Sequence, residues 1–407
     1  MRSHIIDDSS NRGVNMSNNV DYNGLMKHLD SLKPYALITT GRTGSDFLQS
    51  LLDSHTEVLT FNGTFFFHEF WQSSRCTNNN INLSDLLDQF CGCFIEKFKS
   101  KYDYKERKDC LGVDGNQSID IDLIEFKKIV TLLLDGGGEL ISKNFMLAIY
   151  GAYAICLKQD IMKKKILLHH IHQPGRLPDY IKDFPNPKIL CMTRDPRSNF
   201  VSGVENHRLY EKTRDTEAFL FGTIQRIIID AYAADRFSDD VITLKIEDLG
   251  RRCILLSLCS WLGIKYENTM IESTWGGLLW RGDRVSRRQN LEKGFSEKML
   301  DNKWNKKLST KDKYIFNFIM NDRLLNYGYD CNKIYLHDYF IVFILLIFPL
   351  KLEMRYFSVE YMRNSHYRLI IQNIFSYARR VRFFYKVYFQ KLFGFKFLRK
   401  LIVCDYK

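Results

Sequence analysis

The chain predicts an α/β fold, a parallel sheet flanked by helices, carrying a helical and basic appendage at its C-terminus. Three observations carry that expectation. Short apolar runs rich in Ile, Leu and Val alternate with stretches of helical periodicity, the pattern of βαβ units in a parallel sheet covered on both faces. Two of those runs end in polar turns that open a helix. Charge is also uneven: residues 351–407 hold 13 Lys or Arg against 3 Asp or Glu, a net +10 of the chain's +12.

Taken in order, residues 1–32 read as a polar N-terminal segment and 33–330 as the α/β domain. Tyr35–Thr40 is a predicted strand, Ser45–Ser54 a helix and Glu57–Phe61 a short strand. Helices follow at Leu83–Lys99 and Asp122–Leu134, the latter stopped by Gly136, Gly137 and Gly138, and again at Leu140–Leu157. Ile166–Ile171 and Lys188–Thr193 are predicted strands. Pro196–Leu209 and Glu217–Arg236 are helical, Val241–Lys245 is a strand and Arg252–Leu262 a helix. Thr274–Ser309, with little periodicity and several Gly, Arg and Trp, is expected to be a long functional loop.

Composition bounds the function. At 407 residues, with 45% hydrophobic residues, the chain can bury one large core. Its 10 cysteines include no pair at CxxC spacing, and several lie in apolar runs, so reduced core thiols and no zinc ribbon are expected. The first residues contain no apolar stretch of signal-peptide type, which suggests a cytoplasmic location. The segment before the tail is almost neutral, so a nucleic-acid partner is not expected.

Two turns carry the chemistry. After the first strand comes Gly41-Arg42-Thr43-Gly44-Ser45, a P-loop-like turn into a helix. Free amides and the positive helix end favour an anion there. After Lys188–Thr193 comes Arg194-Asp195-Pro196-Arg197, in which Asp195 caps a helix with Pro196 at its first position. Arg194 thus stands at a strand's carboxyl end, and Ser202, eight residues on, returns about two turns later. A guanidinium fork with a hydroxyl suits a phosphate dianion. Two such turns imply a ligand with two separated anionic groups.

This pair of motifs resembles the sulfotransferases that use 3′-phosphoadenosine-5′-phosphosulfate (PAPS), particularly the carbohydrate-modifying branch. Arg42-Thr43-Gly44-Ser45-Asp46-Phe47-Leu48 is similar to that family's 5′-phosphosulfate loop, and Arg194 with Ser202 to its 3′-phosphate motif. Leu244–Leu249 and the Asn290–Trp304 stretch add to the likeness, which spans Lys33 to Asp330. The resemblance implies PAPS as co-substrate, no metal, and a saccharide, polysaccharide or glycolipid hydroxyl as acceptor. It implies that Arg42, Thr43, Gly44, Ser45, Arg194 and Ser202 bind the donor. Arg42 would also stabilise the leaving phosphate. A Glu or His after the first helix would be the base. Glu69 is the first choice and His68 the second, on the reading of Phe61–Phe70 as extended, where the two face opposite ways. The chain departs from the family at Asp46, where Ser or Thr is usual. A carboxylate is repulsive beside a phosphosulfate but favourable in a first helical turn.

Other polar clusters have weaker signals. His169, His170 and His172 could line the acceptor cleft or supply the base, since alternation puts His170 and His172 on one face. Arg281, Arg284, Arg287 and Arg288 could meet an anion, and Lys143 could reach the cleft. Two alternatives stay open: a P-loop-like kinase, although no Lys follows the loop as a Walker A motif needs, and a catalytically inactive nucleotide- or glycan-binding module.

Residues 331–407 read as an appendage. Tyr339–Leu350 is an apolar run of twelve, short of the ~20 residues that span a bilayer, and so is expected to be a buried or interfacial helix. Arg379–Lys400 interleaves basic and aromatic residues, which suits an anionic membrane surface, placing the protein at the inner face of a membrane.

Overall fold

The computed structural model describes residues 20–63, 65–77, 81–98, 111–137, 139–172, 174–210, 218–234, 240–282, 294–296 and 303–394. The elements, in chain order, begin with helix α1 (Tyr22–Ser31), strand β1 (Lys33–Ile38), α2 (Ser45–Leu52), β2 (Val58–Thr60), α3 (Phe67–Thr77) and α4 (Leu83–Phe98). They continue through α5 (Leu123–Gly137), α6 (Ser142–Cys156), β3 (Ile166–Ile171), α7 (Leu177–Asp183), β4 (Lys188–Thr193) and α8 (Pro196–Tyr210). Then come α9 (Ala218–Ala234), β5 (Val241–Lys245), α10 (Arg252–Leu262) and a small hairpin of β6 (Thr274–Trp275) and β7 (Leu278–Leu279). The last helices are α11 (Trp304–Lys307), α12 (Thr310–Ile319), α13 (Asn321–Asn326), α14 (Leu336–Leu345), α15 (Val359–Asn364) and α16 (Tyr367–Leu392).

The main sheet has the order β2-β3-β1-β4-β5, and all its pairings are parallel. This is the expected α/β architecture. Strand β1 is central, pairing Ile38 with Ile171 on one side and with Cys191 on the other. Its Ala36 and Leu37 are wholly buried, as befits a strand covered on both faces. The chain leaves β1 towards β2 and leaves β4 towards β5, in opposite directions. The carboxyl ends of β1 and β4 therefore flank a switch point, where an open α/β sheet leaves a crevice.

Three local expectations change. The polar N-terminal segment contains α1, capped by the Asp21 carboxylate, which accepts the Gly24 N–H at 2.9 Å. Met26 and Leu29 of α1 belong to the main core. The glycines at 136 and 137 do not stop α5, which runs to Gly137. The segment holding His68 and Glu69 is helical from Phe67, not extended. Phe61, Phe65 and Phe67 pack into a dense aromatic cluster with Phe90, Tyr150 and Phe145, and burying that many rings from one short segment turns the chain into a helix.

Two apolar clusters organise the molecule. One underlies the sheet and α1 to α6, and the other joins Phe200, Val204 and Ile224 of α8 and α9 to α12, α13, α14 and α16. The expected division at 330 and 331 falls inside the second cluster. Cys91, Cys93, Cys156, Cys191, Cys259 and Cys331 carry free thiols, with Cys191 and Cys259 buried as expected of apolar runs, and Cys253 is disulfide-bonded.

Candidate active site

The loop after β1 is shaped by backbone that only a few residues adopt. Gly41, Arg42 and Gly44 all have positive φ, at 84°, 58° and 86°. Such turns gather amide N–H groups into a concavity suited to an anion. Arg42 holds the left-handed conformation without being glycine, at a cost of about 1 kcal/mol. Gly44 could not be replaced without a shift, because a Cβ there would lie 2.3 Å from Cδ1 of Ile246, in the turn after β5. The Thr39 hydroxyl accepts the Gly41 N–H at 3.1 Å and lies 2.5 Å from the Thr43 hydroxyl, closing the loop on itself. Gly44 then stands at the N-cap of α2 with no side chain to satisfy the first-turn amides.

The second turn is braced from two sides. Asp195 accepts the Arg197 N–H at 2.9 Å, as a cap should. Arg197 is buried, donates back to Asp195 from Nη2 at 2.8 Å and to Asn317 of α12 at 2.8 Å, and stacks on Trp304 at 4.1 Å. It anchors the loop. The Glu247 carboxylate, after β5, accepts the Asp195 N–H and the Tyr329 O–H, each at 3.0 Å. Burial raises the Glu247 pKa, while those hydrogen bonds and Arg194 oppose the rise.

The two turns meet. Arg42 Nε donates to the Ser202 hydroxyl at 3.3 Å, across 160 residues of sequence. Arg194 is close enough to Arg42 for the like charges to interact. Burial lowers the Arg194 pKa most, Glu247 counteracts it, and Arg42 lowers it further. Two guanidiniums drawn together at a sheet edge form an electrostatic arrangement that a bound anion would relieve. Among the sequence-predicted donor-site residues, Arg42, Thr43, Gly44, Ser45, Arg194 and Ser202 thus stand around one crevice. Ile246, from the Leu244–Leu249 stretch, and Tyr329, which carried no motif of its own, also shape it.

The candidate bases separate. His68 is buried; its Nε2 lies 3.1 Å from Asp183, which also accepts the Ser142 hydroxyl at 2.7 Å. Glu69 lies in the first turn of α3 and faces Arg176 at 3.4 Å. His169 is a core residue whose Nδ1 lies 2.8 Å from the Tyr150 hydroxyl, and burial holds its pKa well below the usual imidazole range. His170 Nδ1 is 3.8 Å from Asp46, so the unusual carboxylate in α2 points towards β3. His172, one residue past β3, lies 3.6 Å from where a Cβ on Gly41 would stand, hard against the loop. No group of three or more His, Cys, Asp or Glu gathers as a metal set among the described residues.

The remaining candidates stand elsewhere. Lys143 pairs with Asp30 of α1 at 2.5 Å. Arg281 donates to the Val113 carbonyl. Arg284, Arg287 and Arg288 lie outside the described residues, as does most of Asn290–Trp304.

No protein-family model matches the chain, and no curated protein sequence matches it. Among solved structures it is similar to the sulfotransferase domain of the Synechococcus PCC 7002 olefin synthase, at 14% identity and a TM-score of 0.39, over 68% of this chain and 88% of that one. It is also similar to the sulfotransferase domain from the curacin biosynthetic pathway, at 15% identity and a TM-score of 0.35, over 59% of this chain and 77% of that one. Likeness at this level leaves the functional reading to the geometry of the crevice.

Proposed function

We propose that the chain transfers a sulfuryl group from PAPS to a hydroxyl of a saccharide, polysaccharide or glycolipid. The observation that carries the reading is the contact between Arg42 and Ser202, which gathers two separately encoded anion motifs at one switch point. The residues fit a doubly anionic nucleotide: a left-handed amide loop at one end and Arg194 at the other. PAPS, when bound, supplies the activated sulfuryl group. Transfer forms a bond from the acceptor oxygen to sulfur and breaks the bond from sulfur to the donor's phosphate oxygen.

The chain's own residues would then act mainly by placement and charge. Arg42 stabilises negative charge gathering on the leaving phosphate, helped by the amides of Gly44 and Ser45. The acceptor hydroxyl loses its proton to a side chain. His172 is the candidate base that stands against the loop, while Glu69 faces Arg176 and His68 faces Asp183.

The test is retention on immobilised 3′,5′-adenosine diphosphate. Binding should be indifferent to ATP and magnesium, and Arg194→Ala should weaken it about a hundredfold, the loss of a bidentate charged contact. Preference for ATP with magnesium would overturn the reading in favour of a kinase. With labelled donor and a glycan panel, His172→Asn should abolish transfer and leave nucleotide binding intact. Full activity of that variant, together with loss in Glu69→Gln, would return the base to α3. Nucleotide binding without transfer to any acceptor would mark a binding module.

A further inference from the structure

The twelve-residue apolar run is buried only at Val342, Leu346 and Leu350 and is too short to cross a membrane. In α14 only Asp338 and Val342 are buried. Leu336 is 89% exposed and Phe340 70%, and Ile344 is also exposed, at intervals of four that keep the three on one side of the helix, while Phe348 is exposed in the turn beyond it. The opposite side is spent on α16: the Tyr385 hydroxyl donates to the Phe343 carbonyl at 2.8 Å, and the Tyr388 hydroxyl to the Tyr339 carbonyl at 3.2 Å. Among the described residues no helix is long and apolar enough to span a bilayer, and ten residues of α14 cover about 15 Å against the roughly 30 Å of a hydrocarbon core.

The long helix beside it continues the surface. Ile371, Phe375, Phe389 and Phe393 of the α16 segment are exposed, and Arg379, Arg382 and Lys386 are exposed between them. The sequence of α16 contains no Asp or Glu. Two neighbouring acidic residues are withdrawn, since Asp338 accepts the Tyr314 O–H and the Tyr335 N–H and Glu353 is buried against Arg380, while Glu360 of α15 is exposed. The outer surface is therefore apolar and cationic together. A second copy of this chain would have to bring like charges face to face, which opposes self-association. A surface that accepts large apolar side chains and carries negative charge satisfies both properties.

We propose that the exposed faces of α14 and α16 form an interfacial docking surface for an anionic phospholipid bilayer. Leu336, Phe340, Ile344 and Phe348 enter the headgroup region, with Arg379, Arg382 and Lys386 against the lipid phosphates. This places the contact on two well-formed helices rather than on the terminal basic residues, and it holds whatever reaction the crevice performs.

The full chain should float with phosphatidylcholine vesicles containing phosphatidylserine and remain behind with phosphatidylcholine alone, and high salt should release it. Leu336→Glu with Phe340→Glu should weaken the partitioning at least tenfold. Arg382→Glu with Lys386→Glu should do the same and remove the salt sensitivity. All four positions are exposed, so the variants should keep the circular dichroism and nucleotide retention of the parent. Partitioning that ignores phosphatidylserine, or that survives both double variants, would overturn the proposal. So would a dimer in light scattering that Phe340→Glu dissolves while vesicles capture neither form.

Discussion

Two arginine settings in this molecule look alike in sequence and differ in what surrounds them. Arg380 of α16 is wholly buried, donates to both carboxylate oxygens of Glu353 at 2.9 and 2.7 Å, and reaches the carbonyls of Leu346 and Phe348 at 2.8 and 3.2 Å. Its charge is neutralised within the protein, and it ties α16 to the turn after α14. In the crevice between β1 and β4, Arg42 donates to a neutral hydroxyl, and Arg194 feels both the opposing charge of Glu247 and the like charge of Arg42. One arrangement is a lock. The other is a receptacle, where two guanidiniums act on each other beside Glu247.

Removing the lock should have the larger effect. Arg380→Met leaves Glu353 buried with its charge uncompensated, at a cost of about 3–5 kcal/mol. Urea unfolding of the variant should show that loss, and Arg380→Met combined with Glu353→Leu should recover most of it. An unchanged midpoint in the single variant would mean that the pair is not holding these helices, and the comparison would fail.

A buried lysine sharpens the same contrast, because an ammonium can shed its charge and a guanidinium cannot. Lys164 is buried, donates to the His55 carbonyl at 3.1 Å, and burial lowers its pKa to about 8, with Asp53 opposing the shift. A folded pKa below the unfolded 10.5 means that the unfolded chain holds more protons between the two values, so the Lys164 contribution to stability should rise with pH across that window. Between pH about 8 and about 9.5 the Lys164 contribution should be about 2 kcal/mol, while the buried thiols of Cys91, Cys156 and Cys259, whose pKa values burial raises, lower stability across the same range. Chemical denaturation across that range should show the parent gaining that amount relative to Lys164→Met, since the thiols are common to both. Parallel curves would mean that Lys164 stays solvated.

How far the sequence carried these readings depended on how local the physics was. The strands β3, β4 and β5 and helix α10 stand at their expected residues, because each is an apolar run bounded by turn formers. The loop glycines and the Asp195 cap were legible for the same reason. The helix at His68 was not legible, since it depends on aromatic rings arriving from α4 and α6. Nor was the anchoring role of Arg197, which needs Asn317 and Trp304 from more than a hundred residues away. The apolar run at Tyr339–Leu350 could be read as hydrophobic, but its exposure is a matter of which neighbours pack on it. Asp46 was ambiguous until His170 was placed beside it.

The smallest effect tests the receptacle most finely. Ser202→Ala removes the acceptor for Arg42 Nε, one partly buried hydrogen bond at 3.3 Å, and nothing in the apolar clusters. A single hydrogen bond to a charged group is worth about 1 kcal/mol here, below its usual range of about 1.5–3 kcal/mol because the contact is long. Affinity for 3′,5′-adenosine diphosphate, measured by calorimetry, should therefore fall about fivefold with the melting temperature unchanged. Ser202→Thr, which keeps the hydroxyl, should restore most of the affinity. A fall in melting temperature with unaltered affinity would make Ser202 a packing residue of α8, and the crevice would then rest on Arg194 and the left-handed loop alone.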